Sequence, residues 1–310
     1  MIKSTPLTHI TLKLNNTVIP VETFKFSAGE IQVKLDVQAL EKIKILSVKM
    51  STRPTLYITA NIRSSDDIMT LLLVINAFRE YAEPVGGIIS HYITELTIPY
   101  CPYSRQDRVC SPGEAWGLKV FLETLMNAAP LDITITTWDL HNPLASYSHM
   151  ISKNISSIDL FSDTFLSVYK NGVNLVSPDK GAHGRAAAAL ALSQSATSSM
   201  SGVVYLDKDR DPSTGAIRGI KLDEMTIRDP SLPFLIVDDI CDGGRTFISA
   251  AAVLKDLFPN GKKGPVIDLY VTHGIFSAGF EALTKTFRHI YIANNVNGIT
   301  LPRQVSVVTR

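Results

Sequence analysis

Short apolar runs alternate with stretches of helical periodicity along most of the chain. Apolar positions that recur at helical spacing predict helices after residues 64, 111, 185, 246 and 277. Strands that alternate with helices are typical of parallel sheets covered by helices on both faces, so the pattern predicts an α/β fold. The apolar runs that predict strands lie at 56–59, 96–98, 133–138, 173–176, 203–206, 234–237, 266–271 and 290–293.

The alternation begins again past residue 150, and a chain of 310 residues is long enough for two domains of common size. We therefore predict an N-terminal domain over residues 1–149 and a C-terminal domain over residues 150–310. Each is expected to hold a mostly parallel sheet flanked by helices.

The N-terminal region also predicts a hairpin, because residues 7–35 hold polar and apolar positions in loose alternation around a turn at Ser27 to Glu30. Phe26 and Glu30 would lie at its tip. They would offer one aromatic face and one hydrogen-bond acceptor.

A loop with two arginines follows the predicted strand at 96–98. Ser111 with Glu114 is typical of a capping box, with Pro112 at the first helical position, so the loop at 105–108 should lie between a strand and a helix. Loops at the carboxyl ends of strands are where α/β proteins bind ligands, and arginine suits polyphosphate. A charged surface turn is the alternative.

The segment FLIVDDICDGGRTF, from Phe234 to Phe247, predicts a strand, a glycine turn and a helix in direct succession. The amides of the turn would lie at a helix N-terminus, which attracts anions. Asp238 and Asp239 end the strand and supply oxygen atoms that suit a ribose diol or a hard metal ion. The alternative is a solvated strand end.

Three further strand ends carry charged or metal-binding side chains. Asp139-Leu140-His141 follows the strand at 133–138, and Ser177-Pro178-Asp179-Lys180-Gly181 follows the strand at 173–176. Asp207-Lys208-Asp209-Arg210 follows the strand at 203–206 and opens a polar stretch to Gly219 that we predict to be a mobile loop. A histidine in such a place is more often a structural hydrogen-bonder than a metal ligand.

Charge and cysteine content narrow the classes of ligand and compartment. The 30 lysines and arginines balance 29 acidic residues, which gives no electrostatic basis for binding nucleic acid or a membrane surface. The three cysteines lack metal-ligand spacing and disulfide density. The longest apolar run, Ala186 to Leu192, is too short to span a membrane. We expect a soluble cytoplasmic protein with small-molecule ligands.

Taken together, the motifs PYSRQDR, DLH, SPDKG with DKDR, and VDDICDGGRT resemble the ribose-phosphate diphosphokinase family, or PRPP synthetases, from about Phe24 to Val308. The resemblance implies two tandem phosphoribosyltransferase-like domains, with ATP on the N-terminal side and sugar phosphate on the C-terminal side. It also implies transfer of the β,γ-diphosphoryl group of Mg-ATP to the anomeric hydroxyl of ribose 5-phosphate, with release of AMP. It further implies a homo-oligomer, either a dimer or a hexamer built from dimers.

The resemblance implies a role for each matching residue. Phe26 and Glu30 would reach the adenine from a neighbouring subunit, His141 and Asp179 would hold Mg²⁺, and Lys208 would be catalytic with Arg210. The remaining matches are Arg105, Gln106 and Asp107 for ATP, and Asp238, Asp239, Asp242, Gly243, Gly244, Arg245 and Thr246 for the sugar phosphate.

Several positions depart from the family pattern. Ala28 replaces an acidic or amide residue in the adenine-binding turn, and Asp209 replaces an arginine beside Lys208. The segment 242–246 lacks one threonine of the family and carries Arg245, whose guanidinium can contact more than one phosphate oxygen. The altered segment 242–246 suggests ADP-ribose as an alternative acceptor, which would give ADP-ribose pyrophosphate for NAD⁺ salvage, whereas Ala28 bears on the selectivity for the purine and Asp209 lowers the local positive charge.

Two other functions stay open on the sequence alone. A phosphoribosyltransferase shares the Asp-Asp segment but uses the diphosphate sugar as donor, and one fold hosts many reactions. A catalytically silent regulatory homologue is the other, although Lys208, Arg210, His141 and Asp179 argue against silence.

Overall fold

A computed structural model describes residues 5–41, 54–82, 92–129, 133–196, 201–210, 217–259 and 264–308. Contacts within the chain divide it into two compact units, Met1–Ile155 and Ser156–Arg310. Both units contain a sheet with a parallel centre and flanking helices, so the predicted α/β class is confirmed. None of the helices in these ranges is long and apolar enough to cross a membrane.

The described strands of the first unit are β1 (Thr5–Pro6), β2 (Ile10–Leu14), β3 (Thr17–Ile19), β4 (Val21–Lys25), β5 (Ile31–Leu35), β6 (Thr55–Ala60), β7 (Ile93–Ile98), β8 (Ile133–Trp138) and β9 (Lys153–Ile155). Its described helices include α1 (Ser65–Ala82) and α2 (Gly117–Ala128). The main sheet has six strands in the order β3-β2-β6-β7-β8-β9, in which β6 to β9 run parallel. A smaller antiparallel sheet has the order β1-β4-β5.

The second unit is built on a seven-stranded sheet with the order β12-β11-β10-β13-β14-β15-β16. Only β12 runs antiparallel to its neighbour among the strands described in this sheet. Its elements are α3 (Ser157–Val168), β10 (Asn174–Ser177), α4 (His183–Ala196), β11 (Val203–Arg210), β12 (Ile217–Thr226), β13 (Phe234–Cys241), α5 (Arg245–Leu257), β14 (Ile267–Gly274), α6 (Glu281–Thr286), β15 (Ile290–Asn295) and β16 (Val305–Val307).

Each unit buries its own apolar core. In the first, Leu71, Ile75 and Phe78 form the buried stripe of α1 that the sequence predicts. In the second, the first four residues of β13 are buried, and Leu254 of α5 belongs to the same core. Burying one such side chain contributes about 1.5–3 kcal/mol, so the cores hold the strand ends in place.

The first unit ends later than the predicted boundary at residue 149. Strand β9 pairs in parallel with β8, with Ile155 opposite Trp138. This pairing adds residues up to 155 to the first sheet.

The hairpin at the N-terminus is confirmed. Strands β4 and β5 pair antiparallel, and the amide of Phe26 donates to the carbonyl of Glu30 at 2.8 Å. Gly29 turns the chain with a φ of 95°, a conformation that glycine adopts without steric cost.

Two local predictions are wrong. The first is the helix start at Ser111, because the segment after it is a turn. There Glu114 accepts from the amides of Cys110 and Ser111, and Gly113 has a φ of 90°. Because left-handed backbone interrupts a helix, α2 begins only at Gly117.

The second is the mobile loop predicted from residue 207, which is wrong in its first part because β11 continues to Arg210 and pairs with β12. Lys208 lies opposite Ile220 in this antiparallel pair. Residues 211–216 of the predicted loop lie outside the described residues.

Candidate active site

The carboxyl ends of three neighbouring strands carry the polar cluster of the second unit. The strands β11, β10 and β13 are adjacent and parallel, so their ends meet at one edge of the sheet. Lys208 belongs to β11, Asp179 follows β10, and Asp238 belongs to β13. Topology thus brings together three predicted site residues that lie far apart in the sequence.

Two ion pairs cross between the ends of β10 and β11. Lys208 Nζ lies 2.5 Å from Asp179 Oδ2, and Lys180 Nζ lies 3.1 Å from Asp207 Oδ2. The hydrogen bond from Lys180 lowers the pKa of Asp207, and the same contact raises the pKa of Lys180. The other oxygen of Asp179 accepts from the amide of Gly181 at 2.9 Å. The carboxylate of Asp179 is therefore held at both oxygens.

The adjacent carboxyl groups of Asp238 and Asp239 lie beside this pair. Burial raises the pKa of Asp238 well above its usual range, and the neighbouring charges of Asp239 and Asp179 act in the same direction. Arg185, from the first turn of α4, opposes this shift. Its Nη2 lies 3.7 Å from Asp239 Oδ2, and its side chain is 12% exposed. Hydroxyl groups of a ligand can donate hydrogen bonds to carboxyl oxygens such as these.

The segment Asp242–Thr246, called here the glycine loop, connects β13 to α5. Gly244 precedes the helix with a φ of 79°, and a Cβ atom there would approach Leu283 Cδ2 to 2.8 Å. The helix begins at Arg245, whose side chain is exposed. The first amides of a helix lack intrahelical partners, so this loop offers donors to an anion.

Ser277 contacts the glycine loop, although no motif in the sequence indicated it. Its hydroxyl donates to Asp242 Oδ1 at 2.5 Å. Ser277 follows the end of β14, which is the next strand in the sheet. The same strand-end rule, applied to β14, would have marked Ser277 as a candidate, although not its contact with Asp242.

In the first unit, the segment Arg105–Arg108, called here the arginine loop, connects β7 to α2. The side chains of Arg105 and Gln106 are exposed, whereas Asp107 is buried. The carbonyl of Gln106 accepts from the amide of Leu118 at 3.2 Å, which ties the loop to the start of α2. The predicted loop between a strand and a helix is thus present, with two of its polar side chains open to solvent.

His141 follows β8, the neighbour of β7, and its side chain is exposed. The next residue, Asn142, donates its side-chain amide to Asp107 Oδ2 at 2.6 Å. The arginine loop and the loop with His141 are therefore joined, by a contact that the sequence motifs did not predict. At the hairpin tip, Phe26 is 43% exposed and Glu30 is exposed.

The predicted residues thus divide between the units. Phe26, Glu30, Arg105, Gln106, Asp107 and His141 lie in the first unit, and Asp179, Lys208, Asp238, Asp239 and Asp242–Thr246 lie in the second. The backbone of Arg210 ends β11, and its side chain lies outside the described part of the chain. In the described ranges, no group of three His, Cys, Asp or Glu side chains is arranged to hold a metal ion.

The fold and these strand ends define the class of protein: an α/β protein that carries its polar clusters at the carboxyl ends of parallel strands. The sequence profile of the N-terminal domain of ribose phosphate pyrophosphokinase matches residues 4–129. The ribose-phosphate pyrophosphokinase of Pyrococcus abyssi is 30% identical over 221 residues, covering 69% of this chain and 68% of that protein. The chain belongs to the ribose-phosphate pyrophosphokinase family, a family of transferases.

A second relative and a solved structure extend the similarity over nearly the whole chain. The ribose-phosphate pyrophosphokinase of Pyrococcus furiosus is 27% identical over 303 residues, covering 96% of this chain and 92% of that protein. The phosphoribosylpyrophosphate synthetase of Mycobacterium smegmatis has the same fold, with a TM-score of 0.65 and 18% identity. That match covers 99% of this chain and 86% of the other.

The geometry of the glycine loop predicts different effects for its two glycines. We expect Gly244→Ala to lower the free energy of unfolding by about 1–3 kcal/mol, because alanine disfavours left-handed backbone and its Cβ would meet Leu283. Gly243→Ala is the matched control, since a Cβ there meets nothing closer than Ser277 Oγ at 4.0 Å. Urea denaturation measures the free energy of unfolding of both variants. Equal destabilisation by the two substitutions would contradict the strain assigned to Gly244.

The crowded carboxyl groups predict a pH dependence of stability. Because the pKa of Asp238 is raised in the folded state, its contribution is full below the unfolded pKa, about 3.9, and is lost as pH rises through the folded pKa. Each proton involved changes stability by up to about 1.4 kcal/mol per pH unit. Asp238→Asn should therefore be more stable than wild type at neutral pH and lose less stability between acidic and neutral pH.

Urea denaturation across this pH range tests the expectation. Asp256→Asn, exposed on α5, controls for the removal of one negative charge. An Asp238→Asn variant with the wild-type dependence on pH would contradict the proposed crowding.

Proposed function

We propose that this protein transfers the β,γ-diphosphoryl group of ATP to the anomeric 1-hydroxyl of ribose 5-phosphate and releases AMP. The observation that carries the proposal is the ion pair of Lys208 with Asp179 beside Asp238 and Asp239, in a chain of this family. A lysine at this place suits phosphoryl chemistry, because negative charge develops on the transferred group.

The second unit, Ser156–Arg310, is the proposed sugar-phosphate side. The amides of Gly243 to Thr246 would bind the 5-phosphate at the N-terminus of α5. Asp238 and Asp239 would accept hydrogen bonds from the ribose diol, which their high density of carboxylate oxygen favours. Asp242 would assist, with its carboxylate fixed by Ser277.

The first unit is the proposed nucleotide side. Arg105 and Gln106 have exposed side chains, which would contact a polyphosphate and an adenine edge, respectively. Phe26 and Glu30 project from the hairpin tip, and a second copy of the chain would use them to bind the base. This assignment requires a homo-oligomer, either a dimer or a hexamer.

The proposed reaction uses ATP as its magnesium complex. Magnesium keeps several waters and takes one or two protein ligands together with phosphate oxygens, so a compact protein cage is not required. We infer that Asp179, at the end of β10, and His141, whose side chain is exposed, would be its protein ligands. When bound, magnesium neutralises charge on the phosphate oxygens.

The chain's own groups account for the remaining steps. The anomeric oxygen forms a bond to the β-phosphorus of ATP, the bond between that phosphorus and the bridging oxygen of AMP breaks, and the hydroxyl proton is released. Lys208 would donate hydrogen bonds to the transferred oxygens, and it must then leave Asp179. Arg210, at the end of the same strand, would assist on the departing AMP.

Replacing Lys208 tests its role. We expect Lys208→Ala to lower kcat by roughly 10²- to 10³-fold while the far-ultraviolet circular dichroism stays that of wild type, because one positioned cation is removed from the reaction. Lys180→Ala is the matched control, since its 68% exposed side chain pairs with Asp207 and not with Asp179. We expect it to change kcat by less than about threefold. Near-normal turnover by Lys208→Ala would overturn the assignment.

One observation favours a second candidate acceptor, ADP-ribose, whose terminal ribose has the same anomeric hydroxyl. Arg245 is exposed at the first residue of α5, beside the amides proposed to bind phosphate. Its guanidinium would contact the second phosphate of ADP-ribose, which ribose 5-phosphate lacks. The product would be ADP-ribose pyrophosphate, a compound that serves NAD⁺ salvage.

AMP release from Mg-ATP, measured with each sugar in turn, distinguishes the acceptors. If ribose 5-phosphate is the substrate, it alone supports AMP release, and Arg245→Gly retains most of the activity. If ADP-ribose is the substrate, Arg245→Gly should raise its KM about 10-fold or more, because a charge-assisted contact is lost. AMP release with neither sugar would contradict the proposed function.

A further inference from the structure

We propose that Asn142 is a positioning residue for nucleotide binding, because its side-chain amide holds the arginine loop against the loop that carries His141. The inference rests on the proposed function and adds a residue to it. Both loops belong to the first unit and follow neighbouring parallel strands, β7 and β8. Asn142 is 35 residues from Asp107 in the sequence, so the contact joins separate segments.

The contact is short and ends on a buried charge. Asn142 Nδ2 donates to Asp107 Oδ2 at 2.6 Å, and Asp107 is only 9% exposed. Arg108 donates to both oxygens of the same carboxylate, at 3.1 Å and 3.2 Å. A carboxylate with these donors is an internal anchor of the loop, and Arg105 and Gln106 precede it with their side chains in solvent.

The electrostatics of Asp107 agree with this geometry. Burial acts to raise the pKa of Asp107, but the hydrogen bonds from Asn142 and Arg108 outweigh it and hold the pKa below its usual value. Hydrogen bonds to an ionised group contribute about 1.5–3 kcal/mol, and leaving such a group unsatisfied in a buried place is costly. Asn142 is thus one of two side chains that donate to this carboxylate, and it is the one that comes from the loop after β8.

Asn142 is itself held in one orientation. Its Oδ1 accepts from the amide of Leu144 at 3.1 Å, and its carbonyl accepts from the amide of Ala145 at 3.1 Å. With the oxygen committed to its own turn, the NH₂ group faces Asp107. Asparagine combines an acceptor for the turn with a donor for the carboxylate, whereas aspartate supplies only acceptors.

The opposite end of the arginine loop is tied to α2. The amide of Leu118 donates to the carbonyl of Gln106, and the amide of Gln106 donates to the carbonyl of Tyr103. The loop is thus bonded to the helix through one backbone hydrogen bond and to the loop after β8 through Asn142. Removing the side-chain tie should displace Arg105 and Gln106 without unfolding the sheet, and a displacement of about 1 Å is enough to weaken productive binding strongly.

The test is Asn142→Asp, which keeps the shape and the acceptor for Leu144 but sets a second carboxylate against Asp107. We expect the dissociation constant of a non-hydrolysable Mg-ATP analogue, measured by calorimetry, to rise about 10-fold or more, and the KM for ATP to rise with it. The KM for the sugar acceptor should stay within about twofold, because the tie lies wholly in the first unit. A general structural defect would move both KM values.

Asn154→Asp is the matched control. Asn154 lies on β9, and its Oδ1 accepts from the amide of Leu140 at 3.0 Å, beside the same loop. The substitution adds the same charge in the same neighbourhood but retains the acceptor. We expect nucleotide affinity within about twofold of wild type.

Exchanging the two groups provides a rescue. The double variant Asp107→Asn with Asn142→Asp restores one donor and one acceptor across the contact, and we expect it to bind the analogue at least about threefold more tightly than Asn142→Asp alone. If Asn142→Asp does not fold, Asn142→Ala is used instead, because it removes the donor without adding charge. We expect this variant to bind the Mg-ATP analogue about threefold to 10-fold more weakly than wild type.

Each result of these measurements decides for or against the role of Asn142. Wild-type affinity in Asn142→Asp, or in Asn142→Ala where that variant is used, overturns it, as does an equal rise in both KM values or an exchange variant without rescue. Weaker analogue binding by Asn142→Asp that the exchange reverses supports it. A wild-type protein that binds the analogue but releases no AMP with either sugar refutes the proposed function alone, and analogue binding still decides the role of Asn142.

Discussion

Parallel pairing of strands is the constraint on which the rest of the structure depends. Because β11, β10 and β13 run side by side in one direction, three distant segments end at one edge of the sheet. The ion pair between Lys208 and Asp179 is the direct result. The buried apolar residues of these strands hold the strands in the core, and they therefore also fix the position of the charged side chains at the strand ends.

Charged side chains lie at the ends of the parallel strands in both units, where a ligand could contact them. Burial, followed by the neighbouring charge of Asp239, raises the pKa of Asp238, and Arg185 offsets this only in part. In the first unit, Asp107 has donors on both oxygens and is fixed, while its neighbours Arg105 and Gln106 face solvent. The buried carboxylate thus positions the loop, and exposed side chains beside it can reach a ligand.

Much of the architecture followed from the sequence, because apolar periodicity and strand-end motifs are local signals. The segment from Phe234 to Phe247 forms the strand, turn and helix that its pattern predicts. Local signals failed where another contact decided the conformation. Gly113 and the carboxylate of Glu114 delay α2 to Gly117, and pairing with β12 extends β11 through Lys208. The sequence analysis missed two site contacts, Ser277 with Asp242 and Asn142 with Asp107, and each of them spans 35 residues. No spacing rule connects such pairs, because the contacts form only when neighbouring strands lie side by side.

A crystal structure of the protein with magnesium, a non-hydrolysable ATP analogue and the acceptor sugar would test the proposed site directly. We expect the sugar phosphate on the amides of Gly243 to Thr246, the ribose diol on Asp238 and Asp239, and Lys208 moved from Asp179 to a phosphate oxygen. A sugar bound away from this edge, with the ion pair of Lys208 and Asp179 intact, would contradict the proposal.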